Sequence, residues 1–354
     1  MTEPFSLFTL VGVFVIAAAA IWYAGIRLVD ATDILDERWN LGEVLGGAIL
    51  LAIATNLPEL AITVSAAWSG NLGVVVGNIL GGIAIQTTVL VVLDFSMREE
   101  RPLTHRAASL VLVVEGIAVV AILSVCIMAT QLPSSLIFDR VTPGPLFITA
   151  IWVVGVWLTG RANMGLPWQA SAGNEPGSQP SSKEDAKSDL PAASARRSRG
   201  TAGVLWTFGW ASAVTLVAGV VLERAGDVIA DRIGMSGVLF GATVLAAATS
   251  LPELSTGLRA IAKRDYRLAI SDIFGGNAFL PSLFLLATVV SGQAILPRAD
   301  HSDIYLAGLA AVLTCVYMAG LIFRPSRRIA RIGPDSLVVL ILYVVGITGL
   351  IAIA

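Results

Sequence analysis

Apolar residues gather along the chain into runs of about 20, the length that carries a helix across the hydrocarbon core of a bilayer. Ten such runs lie near residues 6–26, 44–67, 72–96, 107–129, 145–160, 202–222, 236–258, 268–292, 304–323 and 336–354. Polar residues concentrate in the short stretches between runs. Two segments break that rule in the same way: ATNLPEL at 54–60 and ATSLPEL at 248–254 each set a proline and an acid inside an apolar run. Between the fifth and sixth runs, residues 161–200 are rich in Ser, Pro, Gly and charge, with almost no large apolar residue. Such a stretch cannot bury enough surface to fold, which predicts a flexible linker. The pattern predicts an all-α integral membrane protein of ten transmembrane helices, five on each side of a linker.

Composition agrees. Hydrophobic residues make up 56% of the 354 and charged residues 14%, with a mean hydropathy of +0.81, against about 45–50% and about 25% in soluble domains. The net charge of −2 argues against nucleic acid as a partner, since a phosphate-binding surface needs a large basic excess. Cys126 and Cys315 fall inside apolar runs and read as small hydrophobes. The first run has no basic segment before it and no clear cleavage site after it, and reads as a retained helix. With the N-terminus outside, the inside loops collect 19 of the 23 Lys and Arg. The positive-inside rule therefore predicts a multi-pass protein of the cell membrane with both termini outside, and puts the linker in the cytoplasm.

Shifting the sequence by 194 residues aligns Ala54–Leu60 with Ala248–Leu254, Asp33 with Asp227, Gly47 with Gly241, Asn78 with Asp272, and Gly81–Gly82 with Gly275–Gly276. The offset holds without a gap from Ala24 through Gly276. Five helices per half is an odd number, so the second half crosses the membrane in the opposite sense. The predicted architecture is two inverted-topology five-helix repeats, 1–160 with its core at 42–96 and 201–354 with its core at 236–290, joined by the 161–200 linker. Inverted repeats are characteristic of secondary transporters.

Pro58 and Pro252 each remove a backbone donor and clash with the preceding turn, so they open their helices. Glu59 and Glu253 lie somewhat beyond the middle of theirs, and inversion lets them converge near the midplane. A charge there costs several kcal/mol unless it is paired, coordinated or protonated. Neither helix offers a Lys or Arg inside the membrane. Thr55 and Asn56 stand before Glu59, and Thr249 and Ser250 before Glu253. Carboxylates with hydroxyls, amides and carbonyls form a hard-oxygen shell suited to calcium, sodium or magnesium. The same shell has a neutral state in which the glutamates carry protons.

The paired motifs, each followed about twenty residues later by GNILGG or SDIFGG, resemble the two alpha-repeats of the calcium/cation antiporter superfamily, which includes the sodium/calcium exchangers. The resemblance covers roughly 42–96 and 236–290. It implies that the motif glutamates bind the transported cation at the centre with neighbouring hydroxyls or carbonyls, which places Glu59, Glu253, Thr55, Asn56, Thr249 and Ser250 in the site. The family usually reads G-S-N-x-x-N or G-S-N-x-x-D on the third helix of each repeat. This chain reads GGIAIQ at 81–86 and GGNAFL at 275–280, so Gly82 and Gly276 take the serine positions, Gln86 the first amide position and Leu280 the last. Leucine cannot ligate a cation, and the shell is thinner on that side.

Asn78, Gln86, Asp272 and Asn277 are further candidates for a cation or proton pathway. Alternatives stand beside these readings. Each motif proline can serve only to bend a helix, and each Gly-Gly pair fits a close helix contact as well as carbonyl exposure. Asp272 fits the cytoplasmic rim near Arg267 as well as an inner pathway. Glu115, a lone acid in the fourth run, fits a proton relay or an interhelix hydrogen bond. His105 and His301 fall in loops and read as solvated. The expected function is secondary-active cation antiport, calcium against protons or sodium by alternating access. The alternatives are a cation channel and exchange of other cations with protons. No HExxH, phosphate loop or nucleophile–base pair occurs in the spans, so no enzyme is expected. The expected partners are inorganic cations and the lipid bilayer, with no cofactor beyond the transported ion and no protein partner inferred.

Overall fold

The computed structural model describes residues 5–39, 51–165 and 200–353. Val44, Gly47 and residues 166–199 of the expected linker lie outside the described residues. The elements are α1 Leu7–Trp39, α2 Leu51–Thr55, α3 Leu57–Ser69, α4 Leu72–Ser96, the short α5 Leu103–Ala107, α6 Leu110–Ala129, α7 Pro143–Asn163, α8 Thr201–Ile233, α9 Gly237–Thr249, α10 Leu251–Ala262, α11 Tyr266–Ser291, α12 His301–Phe323 and α13 Pro334–Ile353. Among the described residues, eight single helices are long and apolar enough to cross a membrane, and α9 with α10 makes a ninth, bent by 42°. The chain is a multi-pass membrane protein. Large apolar side chains such as Phe8, Ile16, Val217 and Trp206 are exposed on its periphery, where lipid replaces water.

α4 is the central helix: 89% of its apolar window is buried, against 22% for α1 and α13. One continuous core joins it to α3, α6 and α9–α12. α1 and α8 pack side by side along one flank. Both are 33 residues long, which exceeds the expected runs of 6–26 and 202–222. Their extensions carry polar residues that find partners in space: Arg259 pairs with Asp30 of α1, and Asn71 donates to Asp227 of α8.

Elements recur at the offset seen in the sequence. Leu7, Leu57 and Leu72 begin helices, as do Thr201, Leu251 and Tyr266, each 194 positions on. Beyond that point the offset shortens to 191. Tight turns at Asp139–Arg140 and Ala330–Arg331, all four residues at positive φ, close matching two-residue hairpins at Phe138–Val141 and Ile329–Ile332. They lead into Pro143 and Pro334, the first residues of α7 and α13.

Helix breaks fall at the motifs. α2 and α3 part at Asn56, and α9 and α10 at Ser250. A π-helical turn, Gly241–Leu245, precedes the second break, and a 3-10 turn at Leu280–Ser282, around Pro281, interrupts α11. Such departures from α geometry inside a membrane bundle often mark functional sites.

Candidate cation site

Proline sets the local geometry. Pro58 and Pro252 sit in the first turns of α3 and α10, where a missing N–H costs least. Each leaves the carbonyl four residues back, of Ala54 or Ala248, without its helical donor. The turn then places Glu59 and Glu253 at helix N-termini, whose partial positive charge offsets part of the cost of burying a carboxylate.

The two acids meet. Glu59, Glu253, Asn56, Thr249 and Gln86 are all at 0% exposure. The Gln86 Nε2 amide donates 3.4 Å to Glu59 Oε1, 3.4 Å to Glu253 Oε1 and 3.5 Å to Asn56 Oδ1. One neutral NH2 group of α4 thus bridges both motif glutamates. Their other oxygens, Glu59 Oε2 and Glu253 Oε2, and Gln86 Oε1 have no hydrogen-bond partner.

The motif hydroxyls turn their protons onto their own helices. Thr55 donates to the Leu51 carbonyl at 3.1 Å, Thr249 to Ala246 at 3.2 Å and Ser250 to Ala246 at 2.7 Å, while Asn56 Nδ2 donates to Ala52 at 2.7 Å. That leaves oxygen lone pairs available to an electrophile. Among the described residues no three His, Cys, Asp or Glu side chains stand together as a metal cluster. Two carboxylates and neutral oxygens thus face one another at the centre, a donor set of the hard-oxygen kind.

The glycines separate into roles. A β-carbon on Gly276 would stand 3.0 Å from Asn56 Nδ2 and 3.5 Å from Gln86 Oε1, so this glycine lines the site. One on Gly82 would touch Leu280 at 3.4 Å, so two of the three positions lacking the family's oxygens face each other. One on Gly81 would collide with the backbone of Ala242, whereas Gly275 has open space around it.

Of the remaining candidates, Asp272 is buried and acts electrostatically on Glu253. Asn277 turns away and donates 2.9 Å to Thr87 Oγ1. Asn78 is buried with neither amide atom partnered. Glu115 accepts from Ser271 at 2.9 Å. His105, expected in a loop, lies half-buried in α5 against Arg101 and the Arg324 carbonyl.

Four buried acids escaped the sequence reading: Glu223, Asp94, and Asp303 and Asp335 in the first turns of α12 and α13. Glu223 accepts from Ser65 at 2.8 Å and lay one residue past the expected end of its run. Asp94 is fully buried at the end of α4 and accepts from the backbone of Leu103 and Gly333 and from Ser336. Neither Glu223 nor Asp94 has a repeated motif around it; Asp94 carried the same signal as Glu115, a lone acid inside an apolar run.

Comparison with known proteins places this geometry. The chain is 27% identical over 346 residues to the CaxA protein of Alkalimonas amylolytica, named as an antiporter, covering 92% of this chain and 93% of that one. It is 24% identical over 300 residues to the inner membrane protein YrbG of Escherichia coli strain K12, covering 83% and 84%. Its fold matches the crystal structure of the H+/Ca2+ exchanger CAX at a TM-score of 0.67 and 13% identity, over 97% of this chain and 85% of that one. It also matches the sodium-calcium exchanger NCX_Mj at a TM-score of 0.59 and 16% identity, over 97% and 99%. The model of the sodium/calcium exchanger protein family matches residues 9–160 and 203–352, both halves on either side of the central segment. The chain belongs to the sodium/calcium exchanger protein family.

Proposed function

We propose that this chain is a secondary-active cation antiporter that binds calcium between Glu59 and Glu253 and exchanges it, by alternating access, for protons or sodium. The observation that carries the reading is the Gln86 amide bridging both motif glutamates in a fully buried centre. A partial positive charge already sits between the two carboxylates, and the unpartnered oxygens around it suit an ion. Thr55, Asn56, Thr249 and Ser250 complete the shell with hydroxyl, amide and backbone oxygens. Leu280, Gly82 and Gly276 leave too few oxygens for several separate sodium sites, which favours protons as the counter-ion. Protons then neutralise the glutamates on the return step.

The accompanying architecture is ten helices in two inverted five-helix repeats, 1–160 and 201–354, with 161–200 as a cytoplasmic linker and both termini outside the cell membrane. Asp272 lines the inner approach to Glu253. The chain catalyses no covalent chemistry and needs no cofactor beyond the ion. The test is calcium flux in proteoliposomes under an imposed proton or sodium gradient. Glu59→Gln and Glu253→Gln are each expected to reduce flux at least tenfold, and unchanged flux in either variant refutes the assignment.

A further inference from the structure

α6 carries a buried carboxyl that the proposed cation site does not use. Glu115 lies at the end of the bundle where Arg98, Arg101, Arg106, Lys263, Arg264 and Arg267 cluster in and beside the connections. It is 7% exposed, accepts one hydrogen bond from Ser271 Oγ at 2.9 Å, and its Oε2 has no partner.

Its surroundings supply little else. α11 brings Ser271 and one charge, Arg267, which acts on Glu115 electrostatically. Phe274 of α11 and Met318 of α12 close on the neighbouring Gly116, and α7 meets α6 through Gly155 against Ala118. Calcium takes six to eight oxygens, and Glu115 has one hydroxyl beside it. A proton needs only a free carboxylate oxygen, which Oε2 provides.

α11 connects this carboxyl to the central site. Ser271, bonded to Glu115, is followed by Asp272, the acidic neighbour of Glu253, and one turn later by Gly276 against Asn56 and Gln86. A shift of α11 that accompanies cation binding therefore changes the setting of Glu115. We propose that Glu115, positioned by Ser271, is a proton-binding site of the carrier, loaded and emptied from the basic end in step with the central site. On loading, an O–H bond forms between Oε2 and a proton taken from water. On calcium entry that bond breaks and the proton returns to water, with no change in oxidation state.

The inference rests on the proposed calcium binding at Glu59 and Glu253, and the experiment separates the two. Calcium is added to the detergent-purified full-length protein in weak buffer, and bound calcium and released protons are both counted. Glu115→Gln is expected to release one proton fewer per calcium than the wild type, and an equal count overturns the proposal. Ser271→Ala keeps the carboxyl and is expected to move the pH at which that proton is released by roughly 0.5–1 unit, the equivalent of one hydrogen bond. An unmoved midpoint overturns the proposal even if Glu115→Gln does not fold. A wild type that binds no calcium refutes the proposed function itself, a result distinct from equal proton counts.

Discussion

Replacing Asp94 with alanine is expected to destabilise the carrier by about 4 kcal/mol. Its carboxylate is fully buried where α4 ends. Oδ2 accepts from the Gly333 amide at 2.6 Å and from Ser336 Oγ at 2.8 Å, and Oδ1 accepts from the Leu103 amide at 2.9 Å. One side chain thus fastens the central helix to the starts of α5 and α13. Hydrogen bonds to an ionised acceptor contribute about 1.5–3 kcal/mol each, so three give roughly 4–9 kcal/mol. The low end applies because the contributions of hydrogen bonds that share one acceptor group are not additive. The ion pair with Arg328, at 3.7 Å between two largely buried side chains, adds little net, because desolvation of both charges offsets their attraction. That guanidinium already donates to the carbonyls of Asp94, Met97 and Glu99, so it keeps its partners when the carboxylate is removed. Hydrogen bonding therefore outweighs charge pairing. Asp94→Asn keeps one acceptor oxygen and turns an NH2 toward a donor, for an expected loss of about 2–3 kcal/mol. The assay is equilibrium unfolding in mixed micelles, with a double-mutant cycle against Arg328→Met. The reasoning fails if Asp94→Ala costs less than about 1 kcal/mol, or if the coupling to Arg328 exceeds about 2 kcal/mol.

Two further outcomes follow from the site. Gly81→Ala drives a β-carbon into the backbone of Ala242 and is expected to destabilise by about 1–3 kcal/mol, whereas Gly275→Ala, with open space around it, is expected to be neutral or to stabilise by about 0.5–1 kcal/mol; thermal unfolding of the pair in detergent decides it. Gln86→Leu removes the donor shared by Glu59 and Glu253, and by the usual effect of losing a ligand-orienting group it should weaken calcium binding about 10–100-fold. An unchanged dissociation constant by calorimetry would show that the bridge does not position the acids.

The sequence carried the repeated parts of the molecule and lost the unrepeated ones. Proline and glutamate at the same two places, 194 residues apart, marked both helix breaks and the meeting of Glu59 with Glu253. Helix lengths were harder to read. Asp30, Glu223 and Asp227 look like the ends of membrane runs, because the partners that make them tolerable within a helix, Arg259, Ser65 and Asn71, come from distant segments. Asn277 was a candidate for the cation or proton pathway, but only tertiary packing shows that its amide goes to Thr87. The Gly-Gly pairs behave the same way: identical in sequence, Gly81 is a close helix contact while Gly275 touches nothing.

The seats of the two motif prolines carry one more consequence. A β-carbon on Gly25 of α1 would stand 3.0 Å from Cβ and Cγ of Pro252, and one on Gly219 of α8 would stand 3.1 Å from the Pro58 carbonyl. The glycines are themselves 194 positions apart, so each half holds the seat for the other half's hinge. Neither half contains a complete bearing. Expressed alone, a half would keep its hinge and its seat but leave both empty; two identical copies, paired about a two-fold axis, would fill both.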